Sequence, residues 1–434
     1  MNERDSEAVT AQLMAKGYGV APDEKQADVV LLNTCSVRDS AEQKALNKMG
    51  SLVGQTRKHN PDALLGFLGC MAQSRGQELV DQLPDVDLVL GTQKFHRVGQ
   101  YLDDLLAGRR GQVVDTEEEE GSESAIREHL SEEGGRLGTV TAFVSIMQGC
   151  NQFCTFCIVP YTRGRERCRS IEDITDECRE LVKNGIKEIT LLGQIVNSYG
   201  KREIGLKDGQ SAFVQLIESV HQIDGLERIR FTSPHPKGYG NDLVDAYARL
   251  PKLVENAHLP VQSGSDRMLK LMHRGYTRQQ FIGLVGQLRA ACPEMGLGTD
   301  IIVGFPGETE EDFEETLSLC REVEFDNAFL FKYSQRRDTP AARMPGQLDD
   351  LLIEARHSRL MELADGIRAR KLQDYIGRKM EILVEGVSRR NADRLEGRTR
   401  CNKIVVFEGN ERFIGQVMEV QIESATKTTL YGQL

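Results

Sequence analysis

Ser145-Ile-Met-Gln-Gly149-Cys150-Asn-Gln-Phe-Cys154-Thr-Phe-Cys157-Ile-Val-Pro160-Tyr161 places three thiols within eight residues, directly after an apolar, β-prone run from Ala142 to Ile146. Gly149 breaks that run, so the cysteines fall on a short loop at the end of a strand. Three thiolates on one loop can hold three corners of an iron–sulfur cubane and leave the fourth iron open to a small molecule. The alternatives are a structural zinc site closed by Cys168, which wants four ligands, or three unrelated buried thiols.

Working outward, residues 139–345 alternate short apolar runs with helical stretches. Strands are expected at Thr141–Met147, Glu188–Leu192, Arg228–Phe231, Asn256–Leu259, Gly298–Val303 and Ala328–Tyr333. Six βα units without a closed eight indicate a partial parallel barrel, with chemistry on the loops at the carboxyl ends of its strands. Those loops carry Gly193 and Gln194, Ser233-Pro-His235-Pro, Gln262 and Ser263, and the glycine-bearing run from Gly304 to Thr309. Just past the cysteines lies Arg163, whose planar fork suits a carboxylate or a phosphate; the plain alternative is a surface ion pair. His235, held between two prolines, reads as a rigid loop contact more than as a catalytic group.

Residues 1–108 also alternate strand and helix, with parallel-type runs at Ala27–Leu32, Ala63–Leu68 and Val86–Leu90, which gives a small flavodoxin-like α/β domain. Two of its strand ends carry a cysteine, Cys35 and Cys70. One thiol there is ordinary packing, whereas two at equivalent ends point to a shared metal site. Residues 109–138 form an acidic segment of little hydrophobic period, expected as a solvated linker. Nine acids against four arginines between Arg109 and Arg136 put −5 of the chain's net −11 in this one stretch, so total charge is a poor guide to partners. A bridging helix is expected over 349–373, running past the end of a core that spans 139–370. After Gly377, short β-type runs over 371–434 suit a small β-barrel. Arg389, Arg390, Arg394, Arg398, Arg400 and Lys403 cluster there as a phosphate-binding face, against a bland reading as solvated arginines. Ten cysteines in 434 residues suit a reducing cytoplasm. No run of about 18 apolar residues appears, so a soluble, cytoplasmic protein is expected.

The Cys-x3-Cys-x2-Cys spacing with an aromatic before the last cysteine resembles the radical S-adenosylmethionine (SAM) superfamily. The string from Phe143 to Gly164 is similar to the methylthiotransferase family, in its tRNA-modifying MiaB type. The resemblance covers nearly the whole chain. It implies a [4Fe–4S] cluster on Cys150, Cys154 and Cys157 that cleaves SAM, with SAM contacts at Gly193, Gln194, Gln262, Ser263, Gly304 and Arg163. Leu31-Leu-Asn-Thr-Cys35 and Gly69-Cys70-Met-Ala-Gln resemble two of the three segments that hold an auxiliary [4Fe–4S] cluster. The family's first cysteine segment has no counterpart here, and a start upstream of Met1 is expected. Ile195 departs from the family wording after Gln194. Leu395 to Arg400 resembles the TRAM module, an RNA-binding barrel, with Arg389, Arg390, Arg398, Arg400 and Lys403 as RNA contacts. The implied reaction converts N6-isopentenyladenosine beside the tRNA anticodon to its 2-methylthio derivative. Implied partners are the tRNA anticodon stem-loop, SAM and an electron donor such as flavodoxin or a ferredoxin, with no membrane and a monomeric protein. Rival readings are a methylthiotransferase for ribosomal-protein aspartate or threonylcarbamoyladenosine tRNA, and a non-catalytic Fe–S, RNA-binding protein.

Overall fold

The computed structural model describes residues 1–36, 39–119 and 139–434. The amino-terminal part runs α1 (Asn2–Ala15), β1 (Val29–Thr34), α2 (Asp39–His59), β2 (Leu64–Gly69), α3 (Cys70–Arg75), α4 (Gln77–Gln82), β3 (Leu88–Leu90), α5 (Val98–Leu106) and β4 (Val113–Asp115). The four strands pair in parallel in the order β1-β2-β3-β4. Near-continuous apolar strands such as β2 require cover on both faces. One face packs Ala8, Phe95, Val98 and Leu102, and the other Met49, Leu52, Met71 and Leu79. The acidic linker expected over 109–138 is in part a strand. Val113 and Val114 pair with Leu88 and Val89, which fixes 113–115 as the sheet edge. Residues 120–138 of that segment lie outside the described residues.

The chain continues with β5 (Thr141–Ser145), β6 (Met147–Gln148), α6 (Val159–Thr162), β7 (Arg167–Cys168), α7 (Ile171–Lys183) and β8 (Glu188–Leu192). Next come α8 (Ala212–His221), β9 (Arg228–Phe231), α9 (Asn241–Arg249), β10 (Asn256–His258), α10 (Asp266–Leu271), α11 (Arg278–Ala291), β11 (Gly296–Val303), α12 (Glu310–Val323), β12 (Asn327–Lys332) and α13 (Asp350–Gln373). All six expected barrel strands form. They pair as β5-β8-β9 and β10-β11-β12, and a parallel bridge between Ile229 and Leu253 joins the two halves. Four of these helices are capped in the same way: Ser170, Ser211, Thr277 and Thr309 each accept an N–H from the first turn of the helix that follows.

The last part forms a closed barrel from β13 (Lys379–Ser388), β14 (Asn391–Thr399), β15 (Ile404–Glu408), β16 (Val417–Ala425) and β17 (Thr429–Gln433), in the order β13-β14-β15-β17-β16. Its core holds Ile382, Val384, Leu395, Val405, Phe407, Val420 and Leu430. β14 was not among the expected strands.

Two compact units result. The first comprises the described residues of Met1–Leu137 with Met147–Arg169 and Ser334–Ala342. The second comprises Gly138–Ile146, Ser170–Tyr333 and Arg343–Leu434. The cysteine loop therefore belongs to the same unit as the amino-terminal sheet.

Candidate iron–sulfur and cofactor site

Within the first unit the cysteine loop is built by backbone constraint. Gly149 has φ of +79°, and a Cβ there would stand 1.9 Å from the Arg165 carbonyl oxygen. Only glycine accepts that turn. Cys150 N–H donates to the Gly164 carbonyl at 3.0 Å, Cys157 N–H to Cys154 O at 3.0 Å, and Gln152 N–H to Cys150 Sγ at 3.5 Å. Phe153, between the first two cysteines, is held at φ +48°, a conformation that a non-glycine residue keeps only when its surroundings impose it. Cys150 and Cys154 are buried and Cys157 is half-buried. Ala341 N–H donates to the Thr155 carbonyl, and Thr92 Oγ1 to the Thr162 carbonyl, which fastens the loop to two further segments of the unit.

Cys168 lies in the two-residue β7, opposite Met147 of β6. Among the described residues no three or more His, Cys, Asp or Glu side chains gather for a metal ion. Cys150, Cys154 and Cys157 share one hydrogen-bonded loop, and three thiolates are the donor set that a cubane with one open iron takes.

Cys35 and Cys70 are neighbours in register, since the preceding residues Thr34 and Gly69 pair across β1 and β2. The described residues bring two thiols to this place, and three thiolates are needed to mimic the cage on the cysteine loop.

Arg163 is not at the surface. Its guanidinium, 3 % exposed, lies 2.6 Å from Asp5, 1 % exposed, and its Nη2 also reaches Asn2. Burial opposes its charge, but Asp5 and the neighbouring Cys70 thiol outweigh that and hold Arg163 firmly protonated. Nη2 of the fork is thus bound to Asp5, while the buried Nη1 has no hydrogen-bond partner among the described residues.

In the second unit, the expected SAM contacts lie at the carboxyl ends of the barrel strands. Gln194, after β8, has a buried Oε1 with no hydrogen-bond partner. An unpartnered buried acceptor costs free energy unless a ligand satisfies it, so this atom fits an ammonium group. Gly193 beside it is buried. Gln262, after β10, takes φ +73°, its N–H bound to Asp300 O and its carbonyl to Ile302 N–H. Ser263 and Gly304 also make contacts within the protein. The Ser263 hydroxyl lies 3.3 Å from Thr316 Oγ1 and accepts Ser265 N–H, so it ties its loop to α12. Gly304 has φ +79°, and a Cβ there would stand 2.5 Å from Ile353 Cγ1, so the missing side chain makes room for α13. Gly304 N–H donates to Glu308 Oε2 at 2.8 Å. Burial pushes the Glu308 carboxyl up to about 7, against that N–H and Arg356.

His235 closes the loop after β9. Asn197 clamps its backbone on both sides at 2.9 Å, Nδ1 accepts Lys237 N–H, and the ring meets Tyr276 edge-on. Burial, with Arg274 and Lys237 adding to it, depresses its pKa to about 3, so the ring is neutral. Ser233, two residues before it, takes φ +61°. Gln262 was expected for its side-chain amide and Ser233 only as part of its loop; the left-handed backbone of both shows only in the folded chain.

On the terminal barrel the five expected RNA contacts separate. Arg389 and Arg390 are exposed at the β13–β14 turn and make no ion pair among the described residues. Arg398 meets Glu385 and Asn402. Arg400 and Lys403 are corrected: Arg400 forms a bidentate pair with Glu255, and buried Lys403 pairs with Asp326. Both are spent within the protein.

Comparison with known proteins bears on this architecture. A model of the radical SAM superfamily matches residues 144–320, an uncharacterized family designated UPF0004 matches 1–91, and the TRAM domain matches 373–434. A protein of Methylacidiphilum infernorum named tRNA-2-methylthio-N(6)-dimethylallyladenosine synthase is 50% identical over all of this chain and 92% of its own length. Proteins of the same name from Opitutus terrae and Akkermansia muciniphila are 50% and 48% identical, over 100% of this chain and 95% and 96% of theirs. The chain belongs to this synthase family. Among solved structures, the radical SAM methyltransferase TsrM of Kitasatospora setae is similar in fold, at 16% identity and a TM-score of 0.58 over 78% of this chain and 72% of that one. It supports the succession of an α/β domain and a radical SAM barrel. No helix among the described residues is long and apolar enough to cross a membrane.

Proposed function

We infer that this protein is the tRNA methylthiotransferase that converts N6-dimethylallyladenosine, also called N6-isopentenyladenosine, to its 2-methylthio derivative. Full-length identity of about half to synthases of that name carries the reading. Cys150, Cys154 and Cys157 are the residues assigned to a [4Fe–4S] cluster, which when bound supplies the electron that cleaves SAM. Gln194 Oε1, as a buried acceptor, is assigned to the SAM ammonium. The strained loops at Gln262 and Ser233 hold fixed backbone at the strand ends, so little reorganisation is needed on binding. The barrel orients the reactants and keeps water from the reacting atoms. Cys35 and Cys70 are assigned to a second iron–sulfur group, with ligands beyond these two thiols. Arg389 and Arg390 are assigned to RNA phosphate, and an electron donor such as flavodoxin or a ferredoxin to reduction. A cytoplasmic, monomeric enzyme acting beside the anticodon is the setting proposed.

The test is nucleoside mass spectrometry of tRNA from a deletion strain. Loss of 2-methylthio-N6-isopentenyladenosine, restored by the gene but not by Cys154→Ala, is the expected result. Unchanged 2-methylthio-N6-isopentenyladenosine in the deletion strain would remove the assignment.

A further inference from the structure

The second unit contains a joint between the catalytic barrel and the terminal barrel that no functional reading so far uses. β9 opens with Arg228-Ile-Arg230, and the alternation of a strand sends both arginines to one side. Both are buried, Arg228 at 1 % exposure. Arg228 donates to the Arg398 carbonyl at 2.7 Å and to Glu381 at 2.9 Å. Arg230 donates to the carbonyls of Thr399 and Arg400 at 2.9 and 3.1 Å, and its Nε to Glu188 at 2.6 Å. Three successive carbonyls of the β14–β15 hairpin are thereby captured by one strand of the other barrel.

The hairpin answers with its own cations. Arg400 reaches Glu255 and the carbonyls of Pro251 and Leu253. Lys403 shares Asp326 with Lys371. Gly296 has no side chain where the Cys401 carbonyl comes in, at 2.5 Å from where a Cβ would stand.

The location gives this joint meaning. Glu188, Arg228 and Gly296 are the first residues of β8, β9 and β11, and Glu255 and Asp326 immediately precede β10 and β12. Four of the six barrel strands, β9 to β12, therefore meet the hairpin at their amino ends, and β8 joins through the Glu188–Arg230 pair, opposite the ends that carry Gln194, His235 and Gln262. We propose that the β14–β15 hairpin is a plug: it closes the amino-terminal mouth of the catalytic barrel and locks the RNA-binding module to the catalytic strands. Arg228, Arg230, Arg400 and Lys403 are positioning residues in this arrangement. They set the angle at which bound RNA is offered to the barrel, and they add no RNA affinity of their own.

The test uses the full-length protein with Arg228→Met and Arg400→Met combined, chosen because Glu381 and Glu255 are accessible enough not to be stranded as buried charges. Hydrogen exchange of peptides covering 398–403 and β9 is expected to accelerate at least tenfold. The Kd for an anticodon stem-loop should stay within twofold of wild type, while turnover at saturating RNA falls more than tenfold and 5′-deoxyadenosine formed per product rises. Arg228→Lys alone, which keeps a donor there, should stay close to wild type in every readout; if the double variant does not fold, Arg400→Met alone takes its place, with the same directions of change expected. Unchanged exchange overturns the plug. So does weakened stem-loop binding with a reduced salt slope and normal saturated turnover, which would make Arg400 an RNA contact. The turnover arm rests on the tRNA reading and the exchange arm does not, so a wild-type protein that ignores the stem-loop refutes that reading while the plug is still judged.

Discussion

Gly149→Ala is the sharpest probe of the cysteine loop. An alanine at φ +79° pays about 1–2 kcal/mol for the left-handed conformation. Its Cβ would stand 1.9 Å from Arg165 O, 2.4 Å from Arg165 C and 2.7 Å from Gly164 O, all backbone atoms. Ordinary contact begins near 3.4 Å, so the strands flanking the loop must part by roughly 1.5 Å. That separation breaks the hydrogen bond from Cys150 N–H to Gly164 O, which contributes about 0.5–1.5 kcal/mol. The sum, about 1.5–3.5 kcal/mol, lowers the population of the competent loop by roughly 10- to 400-fold. After anaerobic reconstitution and desalting, iron, sulfide and 5′-deoxyadenosine formation should all fall to a small fraction of wild type. Gly283→Ala is the control: it lies within α11 with nothing within 4 Å of its added Cβ, and should keep its iron and gain about 0.5–1 kcal/mol of stability. A folded Gly149→Ala protein that retains full iron and normal SAM cleavage would refute the reasoning.

Two further outcomes are expected. Arg163→Met should destabilise the first unit by about 3–5 kcal/mol in urea unfolding, because it leaves Asp5 buried without its cation, and Arg163→Met with Asp5→Leu should recover most of that loss; equal instability of the double variant would contradict the pairing. His235 is neutral when folded, with its pKa depressed to about 3, and protonates near 6.5 when unfolded. The unfolded chain then holds the extra proton between those values, so this group's contribution is present above pH 6.5 and is lost by about 1.4 kcal/mol per unit as pH falls below it. Urea titrations at pH 7 and 5 should show His235→Asn less sensitive to acid than wild type, and identical pH dependence would refute the burial argument.

Much of this protein was legible from local pattern. Apolar runs of strand length between amphipathic helices marked β1 to β3 and the six barrel strands, because burial on both faces leaves a composition that needs no partner to be read. β14 escaped because its buried positions are Leu395, Gly397 and Thr399 between Arg394, Glu396 and Arg398; the alternation is strict, but the run looks polar. β4 escaped because two valines and an aspartate inside an acidic stretch are too short to register.

The sequence by itself determined the cysteine spacing, the order of the three domains and the identity of the family, since these reside in covalent order and local periodicity. Tertiary structure alone decided which polar groups are free. Arg400 meets Glu255 across 145 positions, Arg163 meets Asp5 across 158, and Lys403 meets Asp326 across 77. A charged side chain carries no local sign of the partner that will neutralise it, so an arginine spent on closing a barrel and one left for RNA read alike until the chain is folded.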